Sequence, residues 1–336
     1  MAGSVKTIAD IAQLAKVSKS TVSRALNDNP LISRKTRERI QAIAREHHFA
    51  ANQGARCLSL QRSDTIGLIL PVYGGTMHSF ISDPFFAEVL RGITITLAGY
   101  HYDLLIGQPA KDAPGEVQRY LESKRADGLI LLGCQGYFEK ITQIFDSQAP
   151  IIVWGAADDL VFCNVNSDNK AGGRVAVQHL LRIGRRRIAF LGGYRSEPEV
   201  RLRQQGYAET LQKSGIGSDP ALVSYGDYTS ESGYAQMRRL LEQVSDLDGV
   251  FACSDVMAIG AMEAIREHGR SVPDDVAVVG FDDIQLAAYC SPPLTTIRQN
   301  LLKGGEVLVQ NLMQYLQDGI ITRTILPVEL VTRKST

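Results

Sequence analysis

Two pairs of matched tetrapeptides, 121 and 122 residues apart, constrain this chain more than any other feature of its sequence. Ile66-Gly67-Leu68-Ile69 returns as Ile188-Ala189-Phe190-Leu191, and Asp127-Gly128-Leu129-Ile130 returns as Asp248-Gly249-Val250-Phe251. Strand-sized apolar runs follow the same order twice. The first set is Ile66–Leu70, Asp103–Ile106, Gly128–Leu132 and Ile151–Trp154; the second is Ile188–Leu191, Ala221–Tyr225, Gly249–Cys253 and Val276–Phe281. Runs this continuous in apolar residues belong to parallel strands buried on both faces, and the stretches between them have helical spacing. From Asp64 onward the sequence therefore predicts two similar doubly wound α/β lobes. Open α/β sheets take ligands beyond the carboxyl ends of their strands, so two such lobes face to face make a cleft.

The first 60 residues are of a different kind. Thr7-x-x-Asp10 has the form of a capping box, and Ile8, Ile11, Ala12 and Leu14 then fall on one helical face. Ser18 starts a second short helix with Val22, Ala25 and Leu26 as its apolar stripe, and small Ala12 and Ala15 allow close approach. Two helices three residues apart, with the spacing A-x-x-A-x-V-S-x-x-T-V-S, predict a helix-turn-helix. Ser33 caps a third helix over 34–48, with Ile40, Ile43 and Ala44 inward. The second helix turns Lys19, Ser20, Ser23 and Arg24 outward, a short basic face rich in hydroxyls. Such a face suits phosphate contact, and an arginine there suits the two acceptors of a guanine edge.

Charge supports this division. The chain is neutral overall, yet residues 1–63 carry eleven lysines and arginines against four acids, a net of +7, and the remainder carries −7. A basic head on an acidic body points to a polyanion as partner of the head alone. The five cysteines (57, 134, 163, 253 and 290) form no C-x-x-C, so they read as reduced thiols in a cytoplasmic protein without a structural metal. The sequence shows no signal-peptide core and no apolar run long enough to span a membrane. No phosphate-binding glycine loop, nucleophile elbow or H-E-x-x-H appears, and the six histidines lack ligand spacing, so neither a cofactor nor an enzyme is expected.

Residues 7–58 resemble the head of the lactose/galactose-repressor (LacI/GalR) family. The resemblance continues through V-N-S-D-N-K-A-G-G (165–173), H-L-L-R-I-G-R-R-R-I-A-F-L-G-G (179–193), S-D-V-M-A-I-G-A-M (254–262), V-P-D-D-V-A-V-V-G-F-D-D (272–283) and P-P-L-T-T-I (292–297). It implies a helix-turn-helix head over 1–50, a hinge helix and linker over 51–63, and an effector-binding and dimerisation body over 64–336 of the periplasmic-binding-protein type. The expected lobes are 64–164 with 294–322, and 165–293 with 323–336. The implied operator contacts are Thr7, Ser18, Lys19, Ser20, Thr21, Ser23, Arg24, Asn27 and Ser33, with Asn52, Ala55 and Leu58 from the hinge. Leu58 stands where the family has a leucine wedge that kinks the duplex from the minor groove. The hinge segment is short and contains Gly54, worth roughly 1 kcal/mol against a helix, so it is expected to fold only with DNA and a second hinge. One departure lies in the turn, where Lys16 stands at a position the family commonly fills with Gly or Asn; a positive φ there costs about 1 kcal/mol.

In the body the resemblance places effector contacts on Asp158, Arg203, Ser254 and Asp282, and turns a phenylalanine of the Asp83-Pro84-Phe85-Phe86 block toward the cleft. Position after the strands independently selects Asp83, Phe85, Phe86, Trp154, Arg201, Arg203, Ser254, Asp255, Asp282 and Asp283. Carboxylates and arginine bind vicinal hydroxyls and an aromatic face covers a sugar ring, so the expected effector is a carbohydrate, with an α-glucoside favoured. Asp255 is expected to cap a helix instead. The chain is expected to repress as a homodimer on palindromic double-stranded operator DNA and to release it with inducer; a purine-type corepressor, or a binding protein without gene control, is the alternative.

Overall fold

The computed structural model describes residues 7–26, 28–47, 49, 62–70, 83–107, 114–133, 141–146, 148–155, 161–217 and 219–336. It divides into two compact units, Met1–Ser63 and Asp64–Thr336.

The first unit holds three helices, α1 (Ile8–Ala15), α2 (Lys19–Leu26) and α3 (Arg34–Glu46). The capping box closes in both directions: Thr7 Oγ1 accepts from the Asp10 N–H at 3.2 Å, and Asp10 Oδ2 accepts from the Thr7 N–H at 2.8 Å. Ile11, Val22, Ala25 and Ile40 are wholly buried where the three helices meet. Leu14, expected on that face, is half exposed and stays outside the core. The turn between α1 and α2 depends on Lys16 at φ 51, and its N–H closes α1 onto the Ala12 and Gln13 carbonyls. Arg39 Nη2 of α3 donates to the Ala15 carbonyl at 2.7 Å, satisfying another helix-end acceptor.

The second unit has two six-stranded sheets. The first runs in the order β2 (Asp103–Gly107), β1 (Thr65–Ile69), β3 (Gly128–Leu132), β4 (Ile151–Trp154), β5 (Cys163–Ser167) and β11 (Arg323–Leu326). The second repeats it as β7 (Val223–Tyr225), β6 (Ile188–Gly192), β8 (Gly249–Ala252), β9 (Ala277–Asp282), β10 (Thr295–Gln299) and β12 (Val328–Val331). All pairings are parallel except β10 with β12. The matched tetrapeptides lie in equivalent strands, β1 with β6 and β3 with β8.

The lobe boundaries differ from expectation. β5 lies wholly in the first sheet although 165–167 were assigned to the second lobe, and β10 pairs with β9 although 294–299 were assigned to the first. The expected single strand over 325–330 splits at Pro327, sending β11 to the first sheet and β12 to the second. Proline cannot donate to a ladder, which makes it a natural place to change sheets. The chain thus crosses between lobes three times, after Ser167, after Gln299 and at Pro327.

Helices cover both faces of each sheet. On the first lobe α4 (Pro84–Tyr100) and α10 (Leu301–Asp318) pack together, and α5 (Pro114–Glu122) lies on the other side. On the second lobe α6 (Asn169–Arg182) packs with α7 (Pro198–Lys213), and α8 (Ser230–Gln243) with α9 (Asp255–Glu267). The crossing of α6 and α7 is fixed by Gly173 and Gly206. A Cβ on Gly173 would stand 2.1 Å from the Arg203 carbonyl oxygen, and one on Gly206 would stand 2.2 Å from that of Lys170. Among the described residues no helix is long and apolar enough to cross a membrane.

Candidate functional site

In the head, α2 presents Lys19, Ser20 and Arg24 fully outward, with Ser23 and Thr21 half buried beside them. Neither Lys19 nor Arg24 takes part in an ion pair among the described residues, so both charges face outward unmatched. Ser18 caps the helix by accepting from the Thr21 N–H at 3.1 Å, and its hydroxyl lies 2.8 Å from those of Ser20 and Thr21. This cluster of three hydroxyls sits at a helix N-terminus, where backbone N–H groups favour an anion such as phosphate. Ser33 caps α3 through the Thr36 N–H at 3.3 Å, and Thr7 is held in its capping box. Asn27, Asn52, Ala55 and Leu58 lie outside the described residues.

In the body the second lobe builds the better defined wall. Arg203 projects from α7, the helix that follows β6, not from a loop. Its Nε donates to Asn169 Oδ1 at 2.7 Å and its Nη1 to the Cys253 carbonyl at the end of β8, at 2.5 Å. Its guanidinium lies 3.7 Å over the Phe281 ring. Only 5 % of the residue is exposed, so backbone, amide and aromatic face together hold a buried charge in one pose. The site lies between β6 and β8, the strands at which this sheet reverses direction of winding.

Asp282 ends β9 at φ 118, a conformation that few L-residues accept. Gln299 Nε2, at the end of β10, donates to Asp282 Oδ1 at 2.5 Å. Burial pushes the Asp282 carboxyl up to about 7; Arg203 and Gln299 pull it down, and Asp83 of the first lobe raises it by repulsion. Asp83 itself caps α4, accepting from the Phe85 N–H at 2.9 Å, and burial raises its pKa too. The two lobes therefore bring carboxylates toward each other across the cleft.

Ser254 is the cap of α9, accepting from the Met257 N–H at 3.2 Å. Asp255, expected in that role, does something else. It is fully buried and accepts from Thr296 Oγ1 at 2.5 Å and the Ile284 N–H at 2.9 Å, tying β10 and the segment after β9 to the start of α9. Asp283 faces Arg298 at 2.6 Å and Arg333 at 2.5 Å, a network beside the second crossover. Arg201 is exposed and bound to the Ser196 carbonyl, apart from Arg203. Phe85 and Phe86 are half buried, edge to face at 5.0 Å. Trp154 is core rather than wall, 6 % exposed, with Phe85 5.9 Å away and Gly304 so close that a Cβ there would meet the indole at 2.2 Å. Asp158 lies outside the described residues.

Three groups were not legible from strand ends. Tyr228 stands at φ 68 with its ring on Gly193, where a Cβ would be 2.2 Å from the ring. Its hydroxyl donates to Glu197 Oε2 at 2.7 Å, and burial together with the Glu197 charge pushes the phenol well above its ordinary range. Glu197 is 8 % exposed. Asn169, at the first crossover, donates to Asn166 Oδ1 of the first lobe at 2.9 Å while accepting from Arg203. Arg203 and Asp282 are thus each hydrogen-bonded to an amide at a crossover between lobes, Asn169 and Gln299.

A basic helix-turn-helix joined to a two-lobed body with a polar cleft defines a class: a DNA-reading regulator carrying a small-molecule receptor. Residues 7–52 match the family described as bacterial regulatory proteins, lacI family, and 177–336 match the periplasmic binding protein-like domain. The HTH-type transcriptional regulator CelR of Thermobifida fusca is 34 % identical over 97 % of this chain and 95 % of its own. The HTH-type transcriptional repressor CytR of Escherichia coli is 35 % identical over 98 % of this chain and 96 % of its own. The crystal structure of the lac repressor dimer bound to operator and the anti-inducer ONPF superposes with a TM-score of 0.86 at 28 % identity, covering 98 % of each chain. The chain belongs to the lacI family and is a DNA-binding transcriptional regulator.

Proposed function

We propose that this protein is a cytoplasmic homodimeric repressor, released from a palindromic operator when a small hydroxyl-rich molecule, a carbohydrate or nucleoside, fills the cleft of its body. The observation that carries this reading is the wiring of the cleft. Arg203 and Asp282, its two central charged groups, each hold an amide at a crossover, so a ligand touching either acts directly on the joints between lobes. A ligand shifts a two-state equilibrium only by its differential affinity for the two states, and contacts at the joints provide that difference.

In this reading Lys19, Ser20, Ser23 and Arg24 read the major groove, with Ser18, Thr21, Asn27, Thr7 and Ser33 on phosphate or base edges. Asn52, Ala55 and Leu58 enter the minor groove as a hinge element. Asp83, Asp158, Arg203, Ser254 and Asp282 bind ligand hydroxyls, with Tyr228 and Glu197 added to that set. Phe85, Phe86 and Tyr228 supply apolar faces, and Trp154 senses the cleft through Phe85. The chemistry has precedent among relatives: one solved structure is of a CelR–cellobiose complex, with a TM-score of 0.75 at 30 % identity, and a Haemophilus influenzae ribose operon repressor is 33 % identical over 93 % of this chain and 92 % of its own. A twofold assembly is supported by apolar side chains left exposed on the body, Ile95 and Tyr100 of α4, Ile106 of β2, and Leu286 and Tyr289 beyond β9.

The test is a screen of sugars and nucleosides that reads Trp154, the single tryptophan, together with release of a labelled operator duplex. A compound that changes both signals at the same midpoint is expected. Ligands that change the fluorescence while operator binding never responds would remove the regulatory role of the cleft, and tighter operator binding on saturation would reverse the sign to corepression.

A further inference from the structure

The turn between α1 and α2 is made by a lysine in a conformation that suits other residues better. Lys16 sits at φ 51 and ψ 46, in the left-handed region. Glycine enters that region freely and asparagine with local support from its short amide, whereas lysine has neither advantage. The backbone there is fixed on both sides. The Lys16 N–H closes α1 on the Ala12 and Gln13 carbonyls. Ala15 before it is buried and its carbonyl accepts from Arg39, while Val17 after it packs against the core of the head. A left-handed lysine therefore carries a conformational cost that a smaller residue would avoid, and such costs concentrate where a residue serves function.

The Lys16 side chain is exposed, and among the described residues its ammonium meets no carboxylate. Three acids of the head are engaged elsewhere. Asp10 closes the capping box on Thr7, Glu38 pairs with Arg34 at 2.7 Å, and Asp28 accepts from Gln41 at 2.9 Å and faces Arg37 at 3.5 Å. Arg34, Arg37 and Arg39 are thus held within the head, while Lys16, like Lys19 and Arg24, is not. Lys16 also stands close to the reading helix, two residues before the Ser18 cap and three before the first residue of α2. Three residues of chain span at most about 11 Å. The major groove is about 12 Å wide between its phosphate walls. With the start of α2 seated in that groove, Lys16 lies at a wall, and its ammonium is a mobile point charge on a long stem that can reach phosphate.

We propose that Lys16 is a phosphate clamp for operator DNA, bracing the entry of α2 against one wall of the groove, and that the left-handed turn is stability relinquished for this contact. This rests on the reading of α2 as the helix that enters the major groove. A phosphate contact fixes register and carries no sequence information, so its signature is salt dependence and not base preference.

The experiment uses the full chain and two probes, a palindromic duplex selected by wild type from a randomised pool and a scrambled duplex of the same composition. Affinities are measured between about 50 and 200 mM KCl, with thermal melting in parallel, for wild type, Lys16→Asn, Lys16→Gln, Lys16→Arg and Arg24→Ala. Asparagine removes the charge and relieves the backbone, glutamine removes the charge alone, and arginine keeps it. Both neutral variants are expected to flatten the slope of log affinity against log salt by about 0.9 for each head bound. That slope implies a loss of roughly eightfold for each head at about 100 mM, taken against 1 M salt. The loss should be the same on both duplexes, leaving their ratio as in wild type. Lys16→Arg should keep the wild-type slope, and Lys16→Asn should melt above Lys16→Gln. A slope unmoved by both neutral variants, while Arg24→Ala still weakens the selected duplex, overturns the clamp and leaves the reading of α2 standing. A changed ratio makes Lys16 a base contact and contradicts the proposal. Lys16→Asn melting no higher than Lys16→Gln contradicts the exchange of stability for contact. Affinity for the selected duplex untouched by Arg24→Ala counts against α2 in the groove, and the clamp falls with it.

Discussion

Asp282 has the most consequences of any single residue. Its carboxyl sits near pH 7 in the folded protein, against an ordinary value of 3.8, chiefly because burial disfavours the charged form. The folded state therefore binds this proton more tightly than the unfolded chain. By linkage, the contribution of Asp282 to stability is complete below about pH 4 and is lost as pH rises toward 7. Asp282→Asn, which stays neutral, is expected to match wild type in melting temperature near pH 4.5 and to exceed it by several degrees at pH 7.5, with about 4 kcal/mol as the ceiling set by that displacement. An equal difference at both pH values would show that Asp282 does not titrate in this range. A hydroxyl-donating ligand prefers the ionised carboxylate, so its affinity in wild type should also decline as pH falls below 7.

Arg24 is the corresponding residue in the head, exposed and without an ionic partner among the described residues. Arg24→Ala is expected to weaken operator binding by about 1–3 kcal/mol and to relax base preference at one position, read as the ratio of affinities for operator and scrambled duplex. An unchanged ratio would assign Arg24 to phosphate contact. Asp282 closes the block over 272–283 at a strand end, where the sequence marks it, whereas Arg203 lies on α7 outside those blocks and was expected only from the resemblance and from its place after a strand. Glu197 and Tyr228 were not legible. Glu197 lies in the loop Ser196-Glu197-Pro198, Tyr228 takes a positive φ two residues past a glycine, and neither has an apolar period to mark it.

At the scale of elements, the strands that the sequence hid are the ones next to the crossovers. Cys163-Asn164-Val165-Asn166-Ser167 and Thr295-Thr296-Ile297-Arg298-Gln299 lack a continuous apolar run, yet both are inner strands of their sheets. Their polar side chains serve the joints: Asn166 meets Asn169, Thr296 meets Asp255, Arg298 meets Asp283 and Gln299 meets Asp282. Hydrophobic patterning reads strands by what they bury against a core, so strands given over to a hinge escape it. Six of the eight strands of the repeat, by contrast, are buried along nearly their whole length, the edge strands β2 and β7 being only partly so, and their apolar runs mark them in the sequence. The helix pair α6 and α7 offers a mechanical test of how the site is held. Gly173→Ala places a methyl carbon 2.1 Å from the Arg203 carbonyl oxygen, so α7 must move and carry Arg203 with it. We expect a loss of about 1–3 kcal/mol in stability and a larger proportional loss in ligand affinity, with operator binding by the uncomplexed protein retained. Ligand affinity preserved alongside the lost stability would mean that Arg203 is not a required contact.

For the whole molecule, the claim is a coupling free energy between the cleft and the operator-reading head. The sequence made the division plain, because a head of net charge +7 and a body of −7 cannot share one partner. It left the joints between the lobes less legible, since the amides there, Asn169 and Gln299, belong to no periodic pattern. Coupling between two sites of a regulator is typically worth 1–3 kcal/mol, or about 5- to 150-fold in affinity, and is reciprocal. The most direct measurement is operator affinity, by fluorescence anisotropy, in wild type and Asp282→Asn, with and without a compound shown by Trp154 to saturate the wild-type cleft. The account predicts a shift of 5-fold or more in wild type and none in the variant, whose affinity without ligand is unchanged. Equal operator affinity for empty and saturated wild type would contradict it.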